Sequence, residues 1–155
     1  MADSKKRLFD AEKIVSGGQT GADRAGLDVG LTLDLPIGGW CPQGRRVEDG
    51  PIPDGYLLVE TAERNYQTRT QRNVEDSDGT LILNLGKLDG GTAFTVKSAR
   101  QIGKPCLVVA LEEGIEPATL REWLEAAVLN IAGPRESKRP GMYDAACRCL
   151  ASLFG

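Results

Sequence analysis

The sequence predicts an α/β domain built on an open, mostly parallel sheet of five or six strands with helices on both faces. Three observations predict it. Short apolar runs alternate along the chain with longer stretches of helical character. The runs at 80–85 and 106–111 are almost continuously apolar, as in strands buried on both faces. Glycine-rich turns sit between strand and helix twice, at 17–21 and 86–92.

The elements follow in order. Residues 1–12 are charged and are read as a flexible N-terminal segment, which leaves 13–155 as one domain, in line with a chain of 155 residues. Lys13 to Ser16 is a short strand running into Gly17-Gly18, and a helix is expected from about Ala22 to Leu33. Leu35 to Trp40 reads as a second strand. Residues 41–57 carry Pro42, Gly44, Gly50, Pro51, Pro53 and Gly55 and read as an irregular loop, longer than compact domains usually hold. Residues 63–76 read as a helix, with Tyr66, Thr70 and Val74 on one stripe, Arg69 and Asn73 beside them, and Arg72 and Asp76 spaced as an i, i+4 pair. Thr80 to Leu85 is a buried strand, and a helix follows the Gly86 to Thr92 loop as far as Ile102. Cys106 to Leu111 is a strand, 117–126 a helix and Val128 to Ala132 the last strand. A polar loop, 133–140, leads to a final amphipathic helix over 141–154.

Composition narrows the function. Lys plus Arg is 19 against 22 for Asp plus Glu, a net charge of −3, which does not fit a general nucleic-acid binder. Histidine is absent, so Ser-His-Asp and Cys-His catalysis and His-ligated metals are excluded. The four cysteines, Cys41, Cys106, Cys147 and Cys149, contain no CxxC pair, so neither a zinc ribbon nor a thioredoxin site is read and no metal ligand is assigned. Neither a signal-peptide pattern nor an apolar run of membrane-spanning length is read, and a cytoplasmic location is the expectation.

Ligands of an open parallel sheet bind beyond the carboxyl ends of its strands. The first loop there reads Gly17, Gly18, Gln19, Thr20, Gly21, Ala22, Asp23, Arg24. Glycines let an anion approach the backbone, a helix start presents free N–H groups, and Thr20 and Arg24 add donors. The pattern is neither the dinucleotide fingerprint nor the P-loop. The second loop places Gly90, Gly91 and Thr92 before a helix, with Thr92 a candidate N-cap. Each loop alone also reads as a tight turn; two in one small sheet suggest a shared phosphate-binding crevice. Gly39 and Trp40 end a strand, and the indole can stack on a flat heterocycle. In the 133–139 loop, Arg135, Lys138 and Arg139 can clamp an anion or lie on a solvated surface, and Ser137 in the same loop is a further candidate ligand contact. Cys147 and Cys149 read as core residues, and Cys41 as a small buried apolar group, with a soft metal ligand or nucleophile as the alternative. No acid–base pair stands out, so no catalytic residue is assigned.

These residues also resemble a known family. Ile14 to Asp28, Gly44 to Pro53, the Tyr66…Arg69-Thr70…Asn73-Val74…Ser77-Asp78 stretch and Ala132 to Ser137 are similar, in order, to the molybdenum carrier family, which includes molybdenum cofactor carrier proteins. The resemblance covers about residues 13–153. It implies a Rossmann-like fold, a homo-oligomer (tetramer or dimer), and binding of the molybdenum cofactor, a pterin dithiolene with a terminal phosphate, held as cargo without turnover. Molybdoenzyme apoproteins are the partners it implies. It also places Arg69 in the site.

The wider group resembles the lysine-decarboxylase-like nucleotide hydrolases, whose helical Arg, strand and PGGxGTxxE loop correspond to Arg69, Thr80 to Leu85 and Gly90-Gly91-Thr92. The acidic residue of that loop is missing here, where Thr95 stands. The expected function is therefore a carrier of the cofactor, with a nucleotide-binding protein or nucleoside-monophosphate phosphoribohydrolase as the alternative.

Overall fold

The computed structural model describes residues 11–115 and 128–154. The helix expected over 117–126 and nearly all of the expected N-terminal segment lie outside the described residues.

Five strands form one parallel sheet. They are β1 (Lys13–Val15), β2 (Ile37–Gly38), β7 (Gly79–Asn84), β8 (Cys106–Ala110) and β9 (Val128–Ala132), in the spatial order β2-β1-β9-β7-β8. Helix α1 (Ala22–Thr32) packs on α4 (Met142–Phe154), and α2 (Tyr66–Asp76) packs on α3 (Gly90–Ile102). Alternation along the strands sorts the two faces. Ile14, Leu81, Leu83, Leu129 and Ile131 join Ala22, Ala25, Met142, Ala146 and Leu150 in the main apolar core. The intervening positions mix apolar Val15 and Ile82 with polar Thr80, Asn84 and Asn130, and the Asn130 amide donates to the Thr80 hydroxyl across the sheet at 3.2 Å. One helix layer thus rests on an oily surface and the other on a partly polar one.

The expected strand over 35–40 is interrupted. Gly39 adopts φ 126, and a Cβ there would lie 2.2 Å from the Ser16 carbonyl oxygen, so the chain turns away from the sheet. Trp40–Cys41, strand β3, then pairs in parallel with β6 (Val59–Glu60) instead of continuing β2. The expected loop between them is an ordered strap. It contains a small hairpin of β4 (Arg46–Val47) and β5 (Gly50–Pro51), and Val47, Ile52 and Leu58 bury against Leu27 and Cys41 in a second core. The Arg45 guanidinium gathers the carbonyls of Ile52, Pro53, Tyr56 and Leu58.

Helix α2 begins at Tyr66 rather than at residue 63, because the Asn65 side chain accepts from the Thr68 amide at 2.8 Å and caps it. Arg72 and Asp76 do not form the expected pair. Asp76 accepts the Trp40 indole N–H at 2.6 Å, and Arg72 lies 5.1 Å from the centre of the Trp40 ring. Thr92 is not the N-cap of α3; Asp89 holds that position and Thr92 is the third residue of the helix. Cys41 is fully buried, and Cys147 and Cys149 pack half-buried against the main core.

Candidate functional site

Strands β9 and β7 are neighbours, but their following helices leave towards opposite faces of the sheet. Such a divergence opens a crevice at the carboxyl edge. A cavity of about 580 Å³ lies there. Its walls come from the loop after β1 (Gln19, Asp23), the first turns of α2 (Tyr66, Gln67, Arg69, Thr70), the start of α3 (Gly90, Gly91, Thr92, Phe94, Thr95) and the loop after β9 (Ala132 to Arg135, Lys138). Glu48 of the strap closes one side.

Two glycine-rich loops enter this crevice, and they behave differently. The loop after β1 is wound on itself. The Gly18 amide donates to the Ser16 hydroxyl, the Gln19 amide to the Asp23 carboxylate, the Thr20 amide to the Gln19 side chain, and the Ala22 amide to the Pro134 carbonyl. Arg24 donates to the Gly18 carbonyl and pairs with Asp49 at 3.5 Å, on the far side of the loop from the crevice. Gly17, Gly18, Gly21 and Ala22 therefore serve the turn, while Gln19 and Asp23 face the cavity.

The start of α3 is open. Gly90, Gly91 and Thr92 donate their amides to no acceptor among the described residues, as the first turn of a helix leaves them. The Asp89 side chain does not cap the helix. It pairs with Lys138 at 2.7 Å and Arg139 at 3.5 Å, so two cations flank this helix end against one carboxylate. These cations hold the Asp89 carboxyl below its usual range, the Lys138 hydrogen bond most of all. The helix dipole and the free amides favour an anion at this point.

At the back of the crevice Arg69 donates to Asp23 at 3.1 Å, with side-chain exposures of 13% and 3%. Gly17 makes this possible. A Cβ on Gly17 would sit 1.7 Å from Arg69 Nη1, so the guanidinium lies on bare backbone. Burial pushes the Asp23 carboxyl above its ordinary value even though Arg69 and the Gln19 amide pull it down. Tyr66 stands one turn before Arg69, with its ring centre 5.5 Å from the guanidinium. Tyr66 and Phe94 supply flat apolar surface where the loops supply polar groups.

The expected stacking residue, Trp40, does not line the cavity. Its amide and carbonyl are both engaged by the Asn73 side chain, and its indole is fixed to Asp76 on the outer side of α2. Gly39 is packed against Ser16 and does not line the cavity either. Arg135 lines the cavity and pairs with Glu48 at 3.3 Å, and Ser137 donates its amide to the same carboxylate at 3.1 Å. Arg139 clamps no cavity group; it braces the loop before α3 through the Leu85 and Lys87 carbonyls.

Tyr66, Phe94 and Glu48 were not among the expected site residues. Tyr66 had a signal, since it precedes Arg69 by three positions on one helix and must share its face. Glu48 had none, because its place depends on how the strap folds back.

Residues 14–154 match the circularly permutated YpsA SLOG family. The chain belongs to that family. A solved structure described as that of a putative molybdenum carrier protein from Syntrophus aciditrophicus SB matches with a TM-score of 0.89. The two sequences are 46% identical, over 94% of this chain and 96% of that one. A comparison with curated proteins found no match. The Rossmann-like α/β architecture expected from the resemblance is thus the architecture found. Membership of this SLOG family fixes the sheet and its crevice; the groups facing the crevice determine what the chain can bind. No helix among the described residues is long and apolar enough to cross a membrane.

Proposed function

We propose that this chain is a carrier for the molybdenum cofactor, holding the phosphorylated pterin in the crevice and shielding it without turnover. One observation carries the reading: the α3 N-terminus opens into a 580 Å³ cavity with the amides of Gly90, Gly91 and Thr92 free and Lys138 beside them. That arrangement suits a terminal phosphate. Tyr66 and Phe94 would flank the pterin, and Arg69 and Arg135 would meet oxygens further along. The molybdenum is cargo in this reading, and no metal held by side chains is invoked. The similar protein from Syntrophus aciditrophicus, described as a molybdenum carrier, supports the same ligand. A cytoplasmic homo-oligomer that hands the cofactor to molybdoenzyme apoproteins completes the proposal.

The crevice offers little to a hydrolase. Where the related nucleotide hydrolases carry a carboxylate, the Thr95 hydroxyl donates to the Gly91 carbonyl at 2.9 Å within its own helix. One observation favours the second reading, phosphoribohydrolysis of nucleoside monophosphates: Asp23 is a buried carboxyl of raised pKa beside Arg69, the kind of group that can act as a general acid.

Thermal melting against the cofactor under anaerobic conditions, molybdate, AMP, ADP-ribose and inorganic phosphate separates the two. A ligand at 100 times its Kd adds about 2.7 kcal/mol, a readable shift in Tm. The carrier reading predicts a large shift with the cofactor and little with AMP. Release of ribose 5-phosphate from AMP, lost in Asp23→Asn, would replace it with the hydrolase.

A further inference from the structure

Glu48 occupies a place built for an oxyanion. Four donors converge on its carboxylate. Oε1 accepts from the Thr20 hydroxyl and, at 3.1 Å, from the Ser137 amide. Oε2 accepts from the Ser137 hydroxyl and lies 3.3 Å from Arg135 Nε. All four donors belong to the loops after β1 and β9, which the sheet places side by side at its carboxyl edge. The carboxylate alone comes from elsewhere, carried in by the strap. Two hydroxyls, an amide and a guanidinium are the donor set that binds phosphate, molybdate or a metal-oxo group.

The loops that carry these donors have ties of their own besides Glu48. The Thr20 hydroxyl also accepts the Glu136 amide at 3.1 Å, and Glu136 itself caps α4 through the amides of Gly141 and Tyr143. The strap likewise has ties besides Glu48. Arg45 ties its far end to four carbonyls, Tyr56 donates to Asp28 at 2.5 Å, and Ile52 and Leu58 are buried. Glu48 lies on the cavity wall with its side chain 23% exposed, so it can leave its donors without unpacking a core.

We propose that Thr20, Ser137 and Arg135 form a second oxyanion site at the rim of the crevice, and that Glu48 is an internal plug which an arriving oxyanion displaces. The site takes a tetrahedral oxyanion or the oxo end of a larger ligand. The carrier reading bears only on which of these arrives. Once displaced, Glu48 leaves Arg135 free to pair with the ligand.

The test is calorimetric titration of molybdate into the wild type, Glu48→Ala, Glu48→Gln and the double variant Glu48→Ala/Ser137→Ala, with Tm recorded for each. The plug predicts that Glu48→Ala binds molybdate at least tenfold more tightly than the wild type. Glu48→Gln, which keeps the side-chain shape without the charge, gains affinity in the same direction. The added Ser137→Ala removes the gain. Unchanged or weaker binding in folded Glu48→Ala and Glu48→Gln overturns the proposal and makes Glu48 a structural tie. A parallel titration with the cofactor separates free oxyanion from cargo as the natural occupant. If the wild type ignores the cofactor while Glu48→Ala gains molybdate affinity, the carrier reading fails and the plug stands. If the cofactor binds and neither variant gains molybdate affinity, the plug fails alone.

Discussion

The Arg69 guanidinium lies directly on the backbone of Gly17, so close that a Cβ there would fall 1.7 Å from Nη1. This contact, between residues 52 positions apart, lets Arg69 reach the buried Asp23 carboxylate. Gly17→Ala pushes the guanidinium aside and leaves Asp23 without its partner. Breaking a buried pair in this way costs about 3–5 kcal/mol, and the partial solvent access of Arg69 places the cost at the lower end. Denaturant unfolding of Gly17→Ala and Arg69→Ala should show losses of similar size, and the double variant should fall well short of their sum. Additive losses would mean that the two residues act separately.

Trp40 is fixed to the outer side of α2 and does not line the crevice. Trp40→Phe removes the hydrogen bond to Asp76, at a cost of about 1 kcal/mol. The affinity for any crevice ligand should stay within about twofold, as expected of a residue that touches no ligand. Calorimetry with the best ligand of the melting panel checks this, and a tenfold loss would put the indole back in the site.

The strap should loosen in acid. Burial pushes the Glu48 carboxyl up, but the hydroxyls of Ser137 and Thr20, the Ser137 amide and Arg135 outweigh it and hold the group below its ordinary range. A carboxyl depressed in the folded state stabilises it above the unfolded pKa, near 4.3 for Glu, and loses that contribution as pH falls through the folded value. Hydrogen exchange of residues 44–52 should therefore rise at acidic pH in the wild type. In Glu48→Gln the acid-dependent rise should be reduced.

Asp28 accepts from both the Tyr56 and Tyr143 hydroxyls. Burial, and then Asp28, raise the Tyr56 phenol to about 12; the Asp28 hydrogen bond, and then burial, raise Tyr143 well above its ordinary value. A raised phenol stabilises the folded state fully below its unfolded pKa of about 10, and that contribution is lost as pH rises through the folded value. Ultraviolet titration should show ionisation beginning at lower pH in Asp28→Asn than in the wild type. Identical curves would show that the phenols do not sense Asp28.

Much of the fold was legible in the residues because the signals were local. The apolar runs at 80–85, 106–111 and 128–132 mark the sheet interior, and glycines mark where strands give way to helices. The strap was not legible. Its order comes from one guanidinium meeting four carbonyls and from three side chains meeting Leu27, and neither relation has a period in the chain. The site was legible in part for the same reason. Gly90, Gly91, Thr92, Asp23 and Arg69 reach the crevice because strand ends and helix starts must meet at the carboxyl edge. Trp40 was misplaced because Gly39 turns the chain out of the sheet one residue earlier. The loop after β1 looked like an anion cradle, but the amides of Gly18, Gln19, Thr20 and Ala22 are taken up by Ser16, Asp23, Gln19 and Pro134, and that pairing depends on tertiary contacts.

The most direct test of the central claim uses Gly91, where a Cβ would meet nothing within 4 Å and the backbone is helical. Gly91→Leu should fold with the Tm of the wild type while filling the space that a phosphate needs at the α3 N-terminus. The measurement is anaerobic binding of the molybdenum cofactor to the wild type and to Gly91→Leu. The account predicts tight binding by the wild type and at least a tenfold loss in the variant at unchanged Tm. Equal binding by both, or none by the wild type, would contradict it.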